Sequence, residues 1–87
     1  MAPAGRRVEL YALSTCVWCR RTREWLEQRA VPHEVTYVDL AGGEELARAQ
    51  RRVLEFVSNL SFPVLIIDDG RSVLQGYQPD RFEDELG

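Results

Sequence analysis

The chain has 87 residues, enough for one hydrophobic core, and we therefore expect a single domain over residues 1–87. Its formal net charge of −3 is too small to indicate a nucleic-acid partner or an anionic membrane surface. Apolar runs such as residues 64–67 are far shorter than the roughly 20 residues that cross a bilayer. The N-terminus lacks an apolar stretch of the signal-peptide type, which predicts a cytoplasmic protein, and we expect a monomer.

The first half of the chain alternates between strand and helix patterns. Residues 6–13 alternate polar and apolar side chains before an apolar run, which predicts a strand. The pattern of residues 17 to about 30 predicts a helix, with Trp25 on the side that faces the core. Ser14 and Thr15, just before it, are residue types that commonly start a helix. Residues 34–40, rich in β-branched and aromatic types, predict a second strand.

The second half predicts another helix, a hairpin and a short final helix. Residues 44 to about 57 carry an apolar stripe at helical spacing. An Asp-Gly pair between the β-rich segments 64–67 and 71–74 indicates a hairpin. Pro79 suits the first position of a final helix over residues 80–86, which we expect to turn Phe82 inward.

This order of elements predicts the topology. The first strand–helix–strand unit requires parallel strands with a right-handed crossover, and the hairpin adds two antiparallel strands. We therefore expect an α/β fold in which a four-stranded mixed sheet is flanked by three helices, in the order β-α-β-α-β-β-α.

Cys16 and Cys19, the only two cysteines, stand at the junction of the first strand and the first helix. A reducing cytosol disfavours a permanent disulfide and favours a catalytic or metal-binding pair. One pair and a distant His33, which we expect in an exposed loop, cannot complete a four-ligand zinc site in one chain. A dimer could still share a metal or an iron–sulfur cluster between these cysteines. A third interpretation is a scaffold disulfide, although its loop is so short that it would add little stability.

Three segments, in chain order, resemble the glutaredoxin family. They are an active-site segment at residues 10–19, a cis-proline loop at residues 61–63 and a closing loop at residues 76–80. The resemblance spans about residues 7–86. It implies a thioredoxin fold, thiol–disulfide exchange with disulfide-bearing protein or small-molecule substrates, and no tightly bound cofactor. It also implies glutathione, as a co-substrate, or thioredoxin reductase as the reductant.

The same resemblance implies where a substrate would bind. The family places a cis bond before Pro63, where the backbone of Phe62 pairs with a bound chain like an added strand. The closing loop contributes Gly76 and Tyr77. Leu13 stands where the family usually has a lysine, and residues 75–79 lack its two glycines and aspartate. The Gly-aromatic-x-Pro pattern is more similar to redoxins that serve ribonucleotide reductase and are recharged by thioredoxin reductase.

The position of each cysteine on the helix predicts its role. Cys16 precedes the first turn, where unpaired amides stabilise a thiolate, whereas Cys19 lies one turn further in. We therefore expect Cys16 to attack and Cys19 to resolve the mixed disulfide. Arg20 can lean back toward Cys16 and assist the thiolate or an anionic substrate, unless it is part of a solvated face. Trp18 points outward, either as a platform for the substrate or as a partly buried packing residue.

Overall fold

The computed structural model describes residues 7–87, so the predicted start of the first strand at Arg6 lies outside the described part of the chain. The predicted order of elements is confirmed. The elements are β1 (Val8–Ala12), α1 (Val17–Gln28), β2 (Glu34–Tyr37), α2 (Gly43–Leu54), β3 (Val64–Ile67), β4 (Ser72–Gln75) and α3 (Pro79–Leu86). A short 3-10 turn, Asp68–Gly70, joins β3 to β4.

The four strands form one mixed sheet in the order β2-β1-β3-β4. Strand β1 pairs in parallel with β2 and antiparallel with β3, and β3 pairs antiparallel with β4. The two central strands are buried along their whole length, because helices cover both faces of the sheet. The predicted thioredoxin-like fold, with its four-stranded mixed sheet and three helices, is confirmed.

Side chains of the central strands alternate between two cores. On one face, residues of β1 and β3 pack against the stripe of α1 and against α3, and the members include Leu10, Leu26, Trp25, Leu65 and Phe82. On the other face they pack against α2, and the members include Tyr11, Ala49, Val53, Val64 and Ile66. The inward positions predicted for Trp25 and Phe82 are confirmed.

Two helices and one strand end earlier than the sequence predicts. Helix α1 ends at Gln28 because Ala30 takes a left-handed φ of 55° and Val31 N–H donates back to Leu26 O (2.9 Å). Helix α2 ends at Leu54 rather than near residue 57. Strand β2 ends at Tyr37, since the chain turns where Leu40 N–H donates to Tyr37 O (3.0 Å). The turn after β2 thereby presents residues 38–40 toward the end of β1.

The predicted hairpin is confirmed, but its last strand begins at Ser72 rather than Arg71. Asp68 and Asp69 both adopt left-handed backbone angles, and Gly70 follows with a φ of 105°. A Cβ atom at Gly70 would overlap the ring of Phe56, so glycine is required there by space as well as by backbone angle. Among residues 7–87, every helix is too short and too polar to cross a membrane.

A buried charge cluster clamps α2 to the sheet. Glu9 of β1 is only 4% exposed, and Arg52 of α2 binds both of its carboxylate oxygens (3.3 and 2.8 Å). Tyr11 donates its hydroxyl to Glu9 Oε1 (3.0 Å), and Arg52 also reaches Asp69 (2.9 Å). Burial opposes ionisation of Glu9, but the bonds from Arg52 and Tyr11 outweigh it and lower its pKa. Burial and the neighbouring carboxylate raise the pKa of Tyr11 to about 12.

Candidate active site

The first cysteine caps the helix that follows the central strand. Cys16 is the N-cap residue of α1 with extended backbone angles (φ −89°, ψ 122°), and its Sγ accepts a hydrogen bond from Cys19 N–H (3.2 Å). The Cys16 side chain is half-buried, so one side of the sulfur faces the surface. A backbone N–H at a helix start is the kind of donor that stabilises a thiolate. The geometry therefore suits Cys16 to nucleophilic attack.

The second cysteine lies beneath the first. Cys19 is 2% exposed and its Sγ accepts a hydrogen bond from Leu13 N–H (3.4 Å). Burial, followed by the hydrogen bond with Cys16, raises the pKa of the Cys19 thiol to about 12. Cys19 therefore stays protonated at neutral pH, and a protonated thiol is a poor nucleophile. Cys19 is therefore more shielded than Cys16, which agrees with its predicted position one turn further into the helix.

An open groove of about 490 Å³ lies at the same end of the sheet. Its walls come from three separate segments, and the lining residues are Trp18, Phe62, Pro63, Gly76 and Tyr77. These are five of the six residues for which the sequence predicts substrate contacts. The peptide bond between Phe62 and Pro63 is cis, as the family resemblance implies.

Trp18 forms the exposed wall of this groove. Its side chain is 56% exposed and stacks on Tyr77, with ring centroids 5.6 Å apart and planes 22° apart. Tyr77 in turn contacts Phe82 edge-on at 5.9 Å, so the wall rests on the core. The guanidinium of Arg21 lies 5.8 Å from the centre of the Trp18 ring. The outward direction predicted for Trp18 is confirmed, and its use as a platform stays a prediction.

The closing loop is held by hydrogen bonds of Gly76, of Gln78 and of Gln75 at the end of β4. Gly76 has a φ of 97° and donates its N–H to Pro63 O (2.8 Å), which ties the loop to the other wall of the groove. The Gln75 amide donates to carbonyl oxygens of Asn59 (3.2 Å) and Ser61 (2.9 Å), and Gln78 donates to Gln75 O (2.7 Å). Neither glutamine was predicted from the sequence to have a role, and the signal for both was the unusual composition of residues 75–79.

Arg20, the sixth predicted contact, lies outside the groove. It shares a small cleft of about 160 Å³ with Ser14, Thr15, Cys16 and Val17. Its side chain is exposed and, among residues 7–87, makes no hydrogen bond or ion pair within the chain. Cys16 therefore lines this cleft together with Arg20 and is not among the residues that line the apolar groove. The predicted action of Arg20 on the thiolate stays a prediction.

His33 is not part of this site. It is half-buried rather than exposed, so the predicted exposure is wrong, because its Nδ1 lies 2.7 Å from Val31 O and holds the ring against its own loop. Across residues 7–87, no three His, Cys, Asp or Glu side chains converge to hold a metal ion. A metal shared through Cys16 and Cys19 would therefore need ligands from outside the described chain.

Solved structures with this fold include close relatives of the chain. A methanoredoxin from Methanosarcina acetivorans is 34% identical with a TM-score of 0.88, over 93% of this chain and 84% of that one. A glutaredoxin from Methanosarcina mazei Go1 is 36% identical with a TM-score of 0.86, over 93% and 78% of the two chains. The glutaredoxin-like NrdH-redoxin of Escherichia coli, which has a thioredoxin-like activity profile, is 28% identical with a TM-score of 0.70, over 93% and 95%.

The family model that matches the chain is that of glutaredoxin, over residues 8–73. No curated protein matches the chain. The matched region contains both cysteines and the cis-proline loop, and it covers most of the sheet. The chain belongs to the glutaredoxin family.

Proposed function

We propose that this protein is a dithiol redoxin that reduces disulfides in protein substrates through Cys16 and Cys19. The observation that carries this proposal is the pairing of a half-buried sulfur at the start of α1, bonded to a backbone N–H, with a fully buried second thiol one turn away. The two positions fit two different steps of one exchange reaction.

In the first step, the Cys16 thiolate attacks one sulfur of the substrate disulfide. A Cys16–substrate disulfide forms, and the other substrate sulfur leaves as a thiolate that takes up a proton. In the second step, Cys19 gives up its proton and attacks Cys16 Sγ, which releases the second substrate sulfur. Two electrons pass to the substrate, and the protein is left with a Cys16–Cys19 disulfide that an external dithiol or thiol reductant must restore.

The groove favours a polypeptide substrate. Its apolar walls and the exposed Trp18 ring offer contact area to side chains on either side of a disulfide. A partner chain that crosses the groove would cover the 56% exposed ring of Trp18, and a small free disulfide would leave most of it in contact with solvent.

Thioredoxin reductase is the reductant that the closing loop favours. Residues 75–79 lack the two glycines and the aspartate with which the family holds glutathione, and Leu13 replaces the usual lysine. Gln78 of this loop and Gln75 at the end of β4 donate hydrogen bonds to neighbouring backbone carbonyls instead. The similarity to NrdH-redoxin, with its thioredoxin-like activity profile, points the same way.

The test supplies the oxidised protein with NADPH and thioredoxin reductase and, separately, with NADPH, glutathione and glutathione reductase. The expected result is continuous NADPH consumption in the assay with thioredoxin reductase when a disulfide-containing protein such as insulin is present as the substrate. Cys16→Ser is the matched inactive control. Turnover by the glutathione route alone would refute the assignment of the reductant, and no turnover by either route would refute the proposed function.

A further inference from the structure

A carboxylate that the proposed reaction does not use braces the turn ahead of the cysteines. Asp39 lies in the turn after β2, and its Oδ1 accepts the backbone N–H of Ser14 (2.8 Å) while its Oδ2 accepts the Ser14 hydroxyl. Both bonds join segments 25 residues apart in the chain. Val38 N–H donates to Ala12 O (2.9 Å), so the chain just before Asp39 is itself anchored to the end of β1.

The braced turn holds both sulfur atoms in place. It runs from Leu13, whose N–H donates to Cys19 Sγ (3.4 Å), to Cys16, whose N–H donates to Leu13 O (3.2 Å). Ser14 lies between these two bonds. A shift of Ser14 would therefore move the donor on Cys19 and the backbone that carries Cys16 together.

We propose that Asp39 is a positioning residue that, through Ser14, keeps the Cys16 and Cys19 sulfurs in the geometry in which they form a disulfide. This inference rests on the proposed function. A carboxylate suits the task because its two oxygens accept an N–H and an O–H at the same time, and ionised acceptors make the stronger hydrogen bonds. Hydrogen bonds from the Ser14 hydroxyl and amide lower the pKa of Asp39, so it stays ionised at neutral pH.

The charge of Asp39 and its bonds act in opposite directions on the thiols. Its negative charge disfavours a thiolate at Cys19, to whose raised pKa it makes a small contribution after burial and the bond with Cys16. Its bonds favour closure of the disulfide by holding the turn. Asp39→Asn separates the two effects, because the amide oxygen can still accept Ser14 N–H while the charge is gone.

The experiment measures the equilibrium constant for forming the Cys16–Cys19 disulfide against dithiothreitol, in Asp39→Ala, Asp39→Asn and Ser14→Ala. Asp84→Ala is the control, since Asp84 is an exposed acid of α3 whose carboxylate makes no hydrogen bond or ion pair within residues 7–87. We expect Asp39→Ala to lower the constant about tenfold and Ser14→Ala about threefold, as loss of one or two hydrogen bonds would. The equilibrium constant of Asp39→Asn should stay within about threefold of that of the unchanged protein, and the constant of Asp84→Ala should equal that of the unchanged protein.

A second readout follows the reaction with 5,5′-dithiobis(2-nitrobenzoate). The first release of thionitrobenzoate reports attack by Cys16, and the second reports closure by Cys19. We expect the second phase to slow about tenfold in Asp39→Ala, because the effective concentration of Cys19 near Cys16 falls. Urea unfolding at the assay temperature shows whether each variant is folded.

Two results would overturn the inference. Asp39→Ala could match Asp84→Ala in both readouts, or Asp39→Asn could be as impaired as Asp39→Ala, which would assign the effect to charge. These results differ from failure of the proposed function. In that case the unchanged protein would consume no NADPH with either reductant, while the dithiothreitol equilibrium would still report whether Asp39 positions the two sulfurs.

Discussion

The replacement Arg52→Ala removes the main partner of the buried carboxylate on β1. Arg52 binds both oxygens of Glu9 and one oxygen of Asp69, and its guanidinium lies 5.0 Å from the centre of the Phe56 ring. Without it, Glu9 would remain buried with the Tyr11 hydroxyl and with Arg7, whose Nε is 3.7 Å away. The variant therefore tests how much the clamp between α2 and the sheet stabilises the fold.

The expected loss of stability follows from the burial of the Glu9–Arg52 ion pair. Removal of one partner of a buried ion pair costs about 3–5 kcal/mol, because the other charge stays in the protein without compensation. The Arg52 side chain is 23% exposed, and two weaker partners of Glu9 remain. We therefore expect the free energy of unfolding to fall by about 2–3 kcal/mol. With a urea m-value of about 1 kcal/mol/M for a chain of this size, the midpoint drops by about 2 M or more.

The assay is urea unfolding of the reduced protein at pH 7, with Arg48→Ala as the matched control. Arg48 lies on the same helix, but its side chain is exposed and makes no ion pair within residues 7–87. Its replacement should change the free energy of unfolding by less than about 0.5 kcal/mol. Adding Glu9→Gln to Arg52→Ala should restore at least half of the loss, because no buried charge is left.

The pH dependence gives a second check on the same pair. Pairing lowers the pKa of Glu9 in the folded protein, so its contribution is present above the ordinary glutamate pKa and is lost as the pH falls through the lowered folded value. The difference between the unchanged protein and Arg52→Ala should therefore shrink from pH 7 toward about pH 3. Equal urea midpoints for Arg52→Ala and Arg48→Ala at pH 7 would refute the reasoning.

Three further predictions concern the site. Trp18→Ala should raise KM for an oxidised protein substrate about tenfold with little change in kcat. The control Leu54→Ala, at another exposed apolar residue, should change neither constant. Equal KM values for Trp18→Ala and the unchanged protein would show that the ring contributes nothing to binding. Gly76→Ala should cost about 1 kcal/mol in urea unfolding, from its left-handed φ alone, since a Cβ there meets no atom within 4 Å. Cys19 stays buried in Cys16→Ser, and burial is the largest cause of its raised pKa, so iodoacetamide should alkylate it at pH 7 at least about tenfold more slowly than it alkylates Cys16 in Cys19→Ser. Comparable rates would contradict this prediction.

Local patterns predicted the fold and much of the site. The helical stripe that includes Trp25, the hairpin near Gly70 and the two cysteines at a strand–helix junction are short-range features, and each is found where it was expected. The residues of the groove come from three distant segments, and the family resemblance, rather than any periodicity, grouped Phe62 with Tyr77.

The features that were missed depend on partners far away in the chain. Glu9 occupies a polar position in an alternating strand, and such positions normally face solvent. Its main partner in the buried cluster, Arg52, lies 43 residues later. Asp39 was assigned to a strand, whereas it lies in a turn whose bonds to Ser14 span 25 residues. Helix and strand periodicity carries no information about such pairs, so they required the three-dimensional structure.

The central claim is that Cys16 is the sulfur that attacks the substrate and Cys19 the one that resolves it. The most direct measurement mixes Cys19→Ser and, separately, Cys16→Ser with an oxidised peptide disulfide at pH 7, and follows the covalent adduct by intact-mass and peptide-mapping spectrometry. We predict that Cys19→Ser accumulates one peptide attached at Cys16 and that Cys16→Ser accumulates none. Adduct formation at Cys19 in Cys16→Ser at a comparable rate would contradict the account.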